Sequence, residues 1–185
     1  MKRGVAVLTA LALAAVPLAA CGSDDDSAEG NTSDRAFLND MIPHHAMAVD
    51  MGGTAKREAE HAEIKQLAAS IVASQRDEIA LMRRLKGEVD AGDAKSTFGM
   101  SMKEMGMAMD MEAFMKARQF DRAFIDDMAP HHRGAIVMAR EELAKGKDPQ
   151  VRALARRIIR AQTAEIDLMN SLRRRWYGRP TRVTP

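Results

Sequence analysis

The chain has 185 residues, of which 46% are hydrophobic and 29% are charged, and its formal net charge is +2. Its single cysteine excludes a disulfide within the chain and leaves no set of thiolates for a structural zinc site. A chain of this length can build one well-filled core.

The first twenty residues have the pattern of a secretory signal peptide. Lys2 and Arg3 precede an apolar run over residues 5–20, which is too short and too close to the N-terminus to be a membrane-spanning helix. The run ends in Leu-Ala-Ala-Cys and resembles the bacterial lipobox, whose cysteine is lipidated and becomes the new N-terminus. We therefore predict a lipoprotein signal peptide over residues 1–20 and an extracytoplasmic protein that acyl chains on Cys21 anchor to the bacterial membrane. The alternative is an ordinary signal peptide with an incidental cysteine.

Removal of residues 1–20 takes away two positive charges and leaves 26 basic and 26 acidic residues. Because an exported, formally neutral protein is poorly suited to bind nucleic acid, we expect no nucleic-acid partner. Residues 21–33 are small, polar and acidic, which predicts a flexible tether. The rest divides into a predicted domain, residues 34–175, and a basic tail, residues 176–185.

Two long helical patterns follow the tether. The first extends from about Asp34 to Glu58 with Ser33 as its N-cap, and the second from about Ala62 to Lys86. The second carries apolar residues at helical spacing, at Ile64, Leu67, Ala68, Ile71, Ile79, Met82 and Leu85.

A second pair of helical patterns ends the domain. One extends from about Phe120 to Lys145, with Gly146 as the glycine that follows a helix end. The other begins with Asp148 as N-cap and Pro149 at the first helical position. Its apolar stripe is Val151, Leu154, Ile158, Ile166, Met169 and Leu172. Because no segment alternates as a strand would, two hairpins with one long connection predict an all-α, four-helix bundle.

The long connection is rich in methionine, with seven of the fifteen methionines between residues 100 and 115. Six of them alternate with small and charged residues rather than forming a helical stripe: Met100, Met102, Met105, Met107, Met109 and Met111. The segment resembles the methionine clusters of exported copper-handling proteins, which bind Cu(I) through sulfur. These six methionines are therefore candidate copper ligands. The alternative is that these methionines fill gaps in the core.

The two helical pairs are copies of one sequence. Residues 34–85 align without a gap with residues 121–172, and 20 of the 52 aligned pairs are identical. The identities include Met-x-Pro-His-His and a later Gln-x-x-Glu. Core packing alone would keep the apolar positions and let the others vary, so the repetition of Met, His, Gln and Glu indicates a site. Two copies indicate a duplicated domain rather than a solenoid.

Each copy places two histidines and two methionines on one helical face, because successive residues turn by about 100°. The predicted metal ligands are Met41, His44, His45, Met51, Met128, His131, His132 and Met138. Thioether sulfur favours Cu(I), and imidazole accepts either copper state and also zinc. Copper therefore fits best, with Cu(I) favoured and Cu(II) allowed. Zinc is the runner-up, because it would leave the methionines unexplained.

Polar residues also interrupt the apolar stripes of the second and fourth helical patterns. They are Gln75, Glu78, Gln162 and Glu165. A buried carboxylate needs a partner, and the histidines across the hairpin are the nearest candidates. A carboxylate that accepts the outer N–H of a ligating histidine fixes its orientation, and we predict this role. A polar pair that only sets helix register is the alternative.

A di-iron bundle is disfavoured. Such bundles use paired Glu-x-x-His motifs, and Glu58-x-x-His61 occurs only once, since the second copy has Lys145 and Asp148 there. We therefore interpret His61 as a residue of a helix start.

These motifs resemble a known family, domain-of-unknown-function family 305. Its hallmarks, duplicated here, stand at Met41–His45, Gln75–Ile79, Met128–His132 and Gln162–Ile166. The resemblance extends from about residue 34 to residue 172 and implies a ferritin-like helical bundle, commonly exported. Some members are methionine-rich copper-binding proteins linked to copper tolerance. One departure is Met47, which is Gly134 in the second copy, so we expect the halves to bind with unequal affinity.

The sequence thus predicts a membrane-anchored, extracytoplasmic copper-binding protein that sequesters copper or passes it to another copper carrier. A metal-oxidising redox enzyme and a structural lipoprotein with packed histidines are the alternatives. A non-enzymatic role is favoured, because no nucleophile or phosphate loop supports hydrolysis or group transfer. The pattern leaves open the oligomeric state and the choice between one composite site and two.

Overall fold

The computed structural model describes the backbone of residues 24–89 and 96–179, with side chains from residue 32 onward. These ranges contain five helices and no strand: α1 (Asp24–Glu58), α2 (Ala62–Glu88), α3 (Met111–Met115), α4 (Phe120–Lys145) and α5 (Pro149–Tyr177). The predicted all-α class is confirmed. The signal peptide, the lipidation site at Cys21 and residues 180–185 of the tail lie outside the described residues.

The four long helices form two hairpins. Helix α1 packs along α2 and α4 along α5, and the contact between α1 and α4 joins the hairpins. Both predicted apolar stripes are buried, and Ile79 is their most exposed member at 9%. Each such side chain contributes roughly 1.5–3 kcal/mol on burial, so packing rather than intrinsic helix propensity holds these helices.

The core consists of two apolar clusters with a polar layer between them. The Phe37 cluster includes Phe37, Met41, Met82, Met138 and Leu154. The Phe124 cluster includes Met51, Ile71, Phe124, Met128 and Met169. Along each long helix the repeated polar residues lie between members of the two clusters. This histidine layer consists of His44, His45, Gln75, Glu78, His131, His132, Gln162 and Glu165.

Two aspartates at equivalent repeat positions fasten each hairpin to the turn of the other. Asp34 in α1 accepts the backbone N–H groups of residues 147 and 148, at 3.1 Å and 3.0 Å, just before α5. Asp121 in α4 accepts those of residues 60 and 61, at 2.9 Å and 2.8 Å, just before α2. The pair satisfies N–H groups at two helix starts and fixes how the hairpins meet.

Helix α1 begins earlier than predicted. It extends from Asp24, so most of the predicted tether is helical and Ser33 lies inside the helix rather than at its N-cap. Extending an existing helix adds one hydrogen bond for each residue fixed, and no proline interrupts residues 24–33.

Gly146 directly follows the end of α4, as predicted, although its φ of −65° lies outside the left-handed region. A Cβ there would lie 2.0 Å from a carboxylate oxygen of Glu142, so a larger residue would displace that carboxyl group. The prediction that Asp148 caps α5 is confirmed, because its side chain accepts the N–H groups of Gln150 and Val151.

The predicted tail begins too early. Trp176 and Tyr177 belong to α5, and the Trp176 ring stacks on His61 with centroids 3.8 Å apart. Among residues 24–89 and 96–179, no helix is both long and apolar enough to cross a bilayer.

Candidate metal centre

The four repeated histidines are all fully buried in the histidine layer. His44 and His45 come from α1, and His131 and His132 from α4, the two helices that join the hairpins. The rings of His44 and His131 face each other with centroids 3.7 Å apart and planes tilted by 34°. Four imidazoles from two copies of one motif therefore meet at the centre of the fold.

The outer histidine of each pair is bonded to a carboxylate on the neighbouring helix. His45 Nε2 donates to Glu78 Oε2 at 2.8 Å, and His132 Nε2 donates to Glu165 Oε2 at 2.6 Å. Because Nε2 donates to the carboxylate, Nδ1 is the ring nitrogen that can face a metal. Neither Nδ1 atom has a hydrogen-bond partner among the described residues. This is the arrangement in which a histidine presents one nitrogen to a metal while a carboxylate orients the other.

The inner histidines have different surroundings. His44 Nε2 donates to the backbone carbonyl of Met105 at 2.9 Å, so its Nδ1 also carries a lone pair. His131 has no partner at either ring nitrogen within the described part of the chain. A buried polar atom without a partner is costly, so the layer as a whole favours binding of a cation.

Burial keeps the inner histidines neutral. It lowers the pKa of His44 to about 3, and the nearby His45 imidazole lowers that pKa further. Burial likewise lowers the pKa of His131 well below its usual value, and the nearby His44 imidazole adds to the lowering. Neutral imidazole is the form that coordinates metals, so these rings need lose no proton to bind an ion at neutral pH.

The predicted glutamines do not contact the histidines through hydrogen bonds. Gln75 and Gln162 are each 2% exposed, and within the described ranges neither the oxygen nor the nitrogen of either amide has a partner. They add further unsatisfied polar atoms to the layer.

The predicted methionine ligands are all fully buried, but the structure divides them between the two clusters. Met41 and Met138 belong to the Phe37 cluster, whereas Met51 and Met128 belong to the Phe124 cluster. They therefore bracket the histidine layer from both sides. Each copy contributes one methionine to each side, in opposite order along the chain.

The donor set fits a soft or borderline cation. In residues 24–89 and 96–179, no group of three or more His, Cys, Asp or Glu side chains is arranged to hold a metal ion. Neutral nitrogen and thioether donors suit Cu(I), and the two carboxylates are already bonded to histidines.

The methionine-rich connection crosses this layer. We call residues 96–110 the strap. It starts with the N–H of Phe98 donating to Asp40 at 2.8 Å and reaches His44 through the Met105 carbonyl. Met100 and Met105 pack against the Phe37 cluster, and Met109 and Met111 pack against the Phe124 cluster. The strap therefore passes from one cluster to the other over the histidines.

Two glycines allow the strap to lie directly on α4. Gly106 has φ +68°, and a Cβ there would lie 2.2 Å from the carbonyl oxygen of Pro130. A Cβ on Gly134 would lie 1.8 Å from the carbonyl oxygen of Met105. Gly134 replaces Met47 of the first copy, so only the second copy can receive the strap this closely.

Sequence reasoning missed three groups that build the site: the Met105 carbonyl, Gly134, and the pair Asp34 and Asp121. Both aspartates were among the repeat identities, and that repetition was the signal available. Gly134 was visible as a departure between the copies. A backbone carbonyl leaves no trace in sequence.

Comparisons with known proteins agree with this architecture. A model of the family described as "Domain of unknown function (DUF305)" matches residues 34–173. The Cu(I)-bound form of CopM is 35% identical with a TM-score of 0.66, over 78% of this chain and 98% of CopM. Its Cu(II)-bound form is 36% identical with a TM-score of 0.68, over 78% of this chain and 97% of CopM.

Two further matches extend the comparison. A DUF305 protein from Streptomyces coelicolor is 26% identical with a TM-score of 0.71, over 82% of this chain and 98% of that one. An uncharacterized protein of Acanthamoeba polyphaga mimivirus is 42% identical over 55 residues. That match spans 30% of this chain and 36% of the viral protein, so it concerns a part of each.

Proposed function

This chain belongs to the DUF305 family, and from that premise we propose that it is an extracytoplasmic copper-binding protein that holds copper or hands it on. The observation that carries the proposal is the histidine layer. Four buried imidazoles share it, His44 and His131 are held neutral by burial, and His45 and His132 are oriented by carboxylates. A layer of this kind costs stability unless a cation uses its lone pairs.

Copper is the metal we propose. CopM, which matches over nearly its whole length, has been solved in Cu(I)-, Cu(II)- and Ag-bound forms. In this chain, neutral nitrogen donors lie between two clusters that each supply two methionines, and this favours Cu(I). Cu(II) could use the imidazoles without sulfur, and Zn(II) is the runner-up for the same reason.

The proposed mechanism is reversible coordination. The imidazole nitrogens bind the ion, with sulfur from Met41, Met51, Met128 and Met138 on either side of the layer. Glu78 and Glu165 hold the outer rings so that Nδ1 faces away from the carboxylate. Bound copper would be kept from entering the wrong proteins and from causing redox damage. The signal pattern and Cys21 support a lipid-anchored location, and a second copper carrier is the proposed partner.

A metal titration tests the function. The mature domain, without lipid, is titrated anaerobically with Cu(I) and separately with Cu(II) and Zn(II). We expect tight Cu(I) binding that is lost when His44, His45, His131 and His132 are all changed to alanine. The paired change His44→Gln and His131→Gln serves if that variant does not fold, because it leaves both His–Glu contacts in place.

Three results would contradict the proposal. Absence of tight copper binding would leave the histidines as packing residues, and a preference for Zn(II) would replace copper by zinc. Sustained oxygen consumption with excess Cu(I) would indicate turnover, and hence a metal-oxidising enzyme rather than a carrier.

A further inference from the structure

The strap contains a closed turn that brings two methionines together. The N–H of Met107 donates to the carbonyl of Met102 at 2.7 Å, so the backbones of these residues are adjacent. Met102 is 50% exposed, whereas Met107 is partly buried. The turn thus joins an exposed methionine to a methionine that is closer to the core.

The turn is rigid by its own contacts. The N–H of Met105 donates to Ser101 at 3.0 Å, and that of Gly106 donates to Lys103 at 3.1 Å. Glu104 Oε2 accepts from the backbone N–H and the hydroxyl of Ser101, at 2.8 Å and 2.7 Å. One oxygen of the turn's carboxylate is therefore engaged within the turn itself.

Met107 lies at the level of the histidine layer. The preceding strap methionine, Met105, packs on the Phe37 cluster, and the following one, Met109, packs on the Phe124 cluster. Gly106, directly before Met107, touches α4 at the layer, because a Cβ on it would lie 2.9 Å from the Cα of His131. The turn consequently lies next to His131, whose ring nitrogens have no hydrogen-bond partner among the described residues.

We propose that Met102 and Met107 form an entry site that takes Cu(I) from solvent and passes it to His131 and His44. The proposal rests on the function proposed above and adds a route to it. Thioethers bind Cu(I) without losing a proton and release it by ligand exchange, so the ion moves without oxidation or reduction. On arrival, His44 binds the ion through Nδ1, which carries the lone pair, while its Nε2–H keeps the hydrogen bond to the Met105 carbonyl.

Replacing the two sulfurs tests the route. In Met102→Leu/Met107→Leu the side-chain volumes are nearly kept. Met115→Leu is the control, because Met115 is 54% exposed and lies outside the turn. Cu(I) is supplied anaerobically from a weak, coloured Cu(I) chelator, and uptake is followed by stopped flow, with the final affinity measured separately.

We expect the double variant to take up Cu(I) about tenfold more slowly or worse, with the affinity of the histidine layer unchanged. The Met115→Leu control should take up Cu(I) at the same rate as the unchanged protein. Uptake of the double variant at the unchanged rate would overturn the entry site while leaving the proposed function intact. Failure of the unchanged protein to bind Cu(I) tightly would overturn both.

A second readout does not depend on the histidines. In the four-histidine variant, Ag(I) should still protect Met102 and Met107 from oxidation by hydrogen peroxide, while Met115 oxidises freely. Mass spectrometry of the digested protein distinguishes these residues. Equal oxidation of all three in the presence of Ag(I) would contradict the entry site.

Discussion

The two copies of the repeat have the same motif but different surroundings. His45 and His132 each bond a glutamate, and Asp34 and Asp121 each cap the other hairpin's turn. His44, however, donates a hydrogen bond to the Met105 carbonyl, whereas neither ring nitrogen of His131 has a hydrogen-bond partner among the described residues. Duplication therefore builds a symmetric layer, and the single strap makes its two halves unequal.

The source of the difference is one position. The second copy has Gly134, where the strap backbone lies, and the first has Met47. A side chain at residue 134 would occupy the place of the Met105 carbonyl. We still predict unequal copper affinities for the halves, and we now attribute them to this backbone contact rather than to a missing methionine ligand.

Removing the aspartate caps should have the largest effect on the free energy of unfolding. Asp121→Ala leaves two backbone N–H groups and His61 Nδ1 without their acceptor and should lower the free energy of unfolding by about 3 kcal/mol. Asp34→Ala should cost less, about 2 kcal/mol, because Asp34 accepts the same number of backbone N–H groups but has no histidine partner of the kind that His61 provides for Asp121. Urea denaturation measures both. Equal losses would show that the His61 contact adds nothing to the Asp121 cap.

A side chain placed at residue 134, where the strap lies on α4, should have the next largest effect on stability. Gly134→Ala places a methyl group against Met105 and should cost about 2 kcal/mol while raising oxidation of Met105 by peroxide. The control is Gly53→Ala in α1, where nothing lies within 4 Å of the new Cβ, so stability should hold or rise slightly. If Gly134→Ala does not change stability, the strap is not held against residue 134.

The carboxylates should affect copper more than folding. Glu78→Gln and Glu165→Gln each weaken the acceptor of a histidine N–H and should lower copper affinity by about tenfold, as loss of such partners does elsewhere. Because the two contacts are equivalent, we expect equal losses, measured by competition with a Cu(I) chelator. A loss in only one variant would indicate a site confined to one half.

Glu142, which replaces Ala55 of the first copy, should affect how stability depends on pH. Burial, with hydrogen bonding and charge from Asp34, raises its pKa from 4.5 to about 9. Between these values the folded state holds a proton that the unfolded state has lost, so stability falls as pH rises. In Glu142→Gln that slope should be smaller in urea titrations from pH 5 to 9. An unchanged slope would contradict the raised pKa.

Helices and the contact between layer residues followed from the sequence, because both depend on local periodicity and on the need of buried carboxylates for partners. The division of the methionines did not. Met41 and Met51 share a helical face, but ten residues span about 15 Å of helix axis, so they reach opposite clusters. The angular position of a residue on a helix does not give its position along the helix axis. The register of the strap across α4 depends on tertiary contact alone.

The most direct test of copper binding in the histidine layer is X-ray absorption spectroscopy at the copper edge. The Cu(I)-loaded mature domain is compared with the variant in which His44, His45, His131 and His132 are alanine. We predict imidazole scattering in the unchanged protein that disappears in the variant. Identical spectra from both, with sulfur as the only ligand, would place the copper on the methionines and contradict the account.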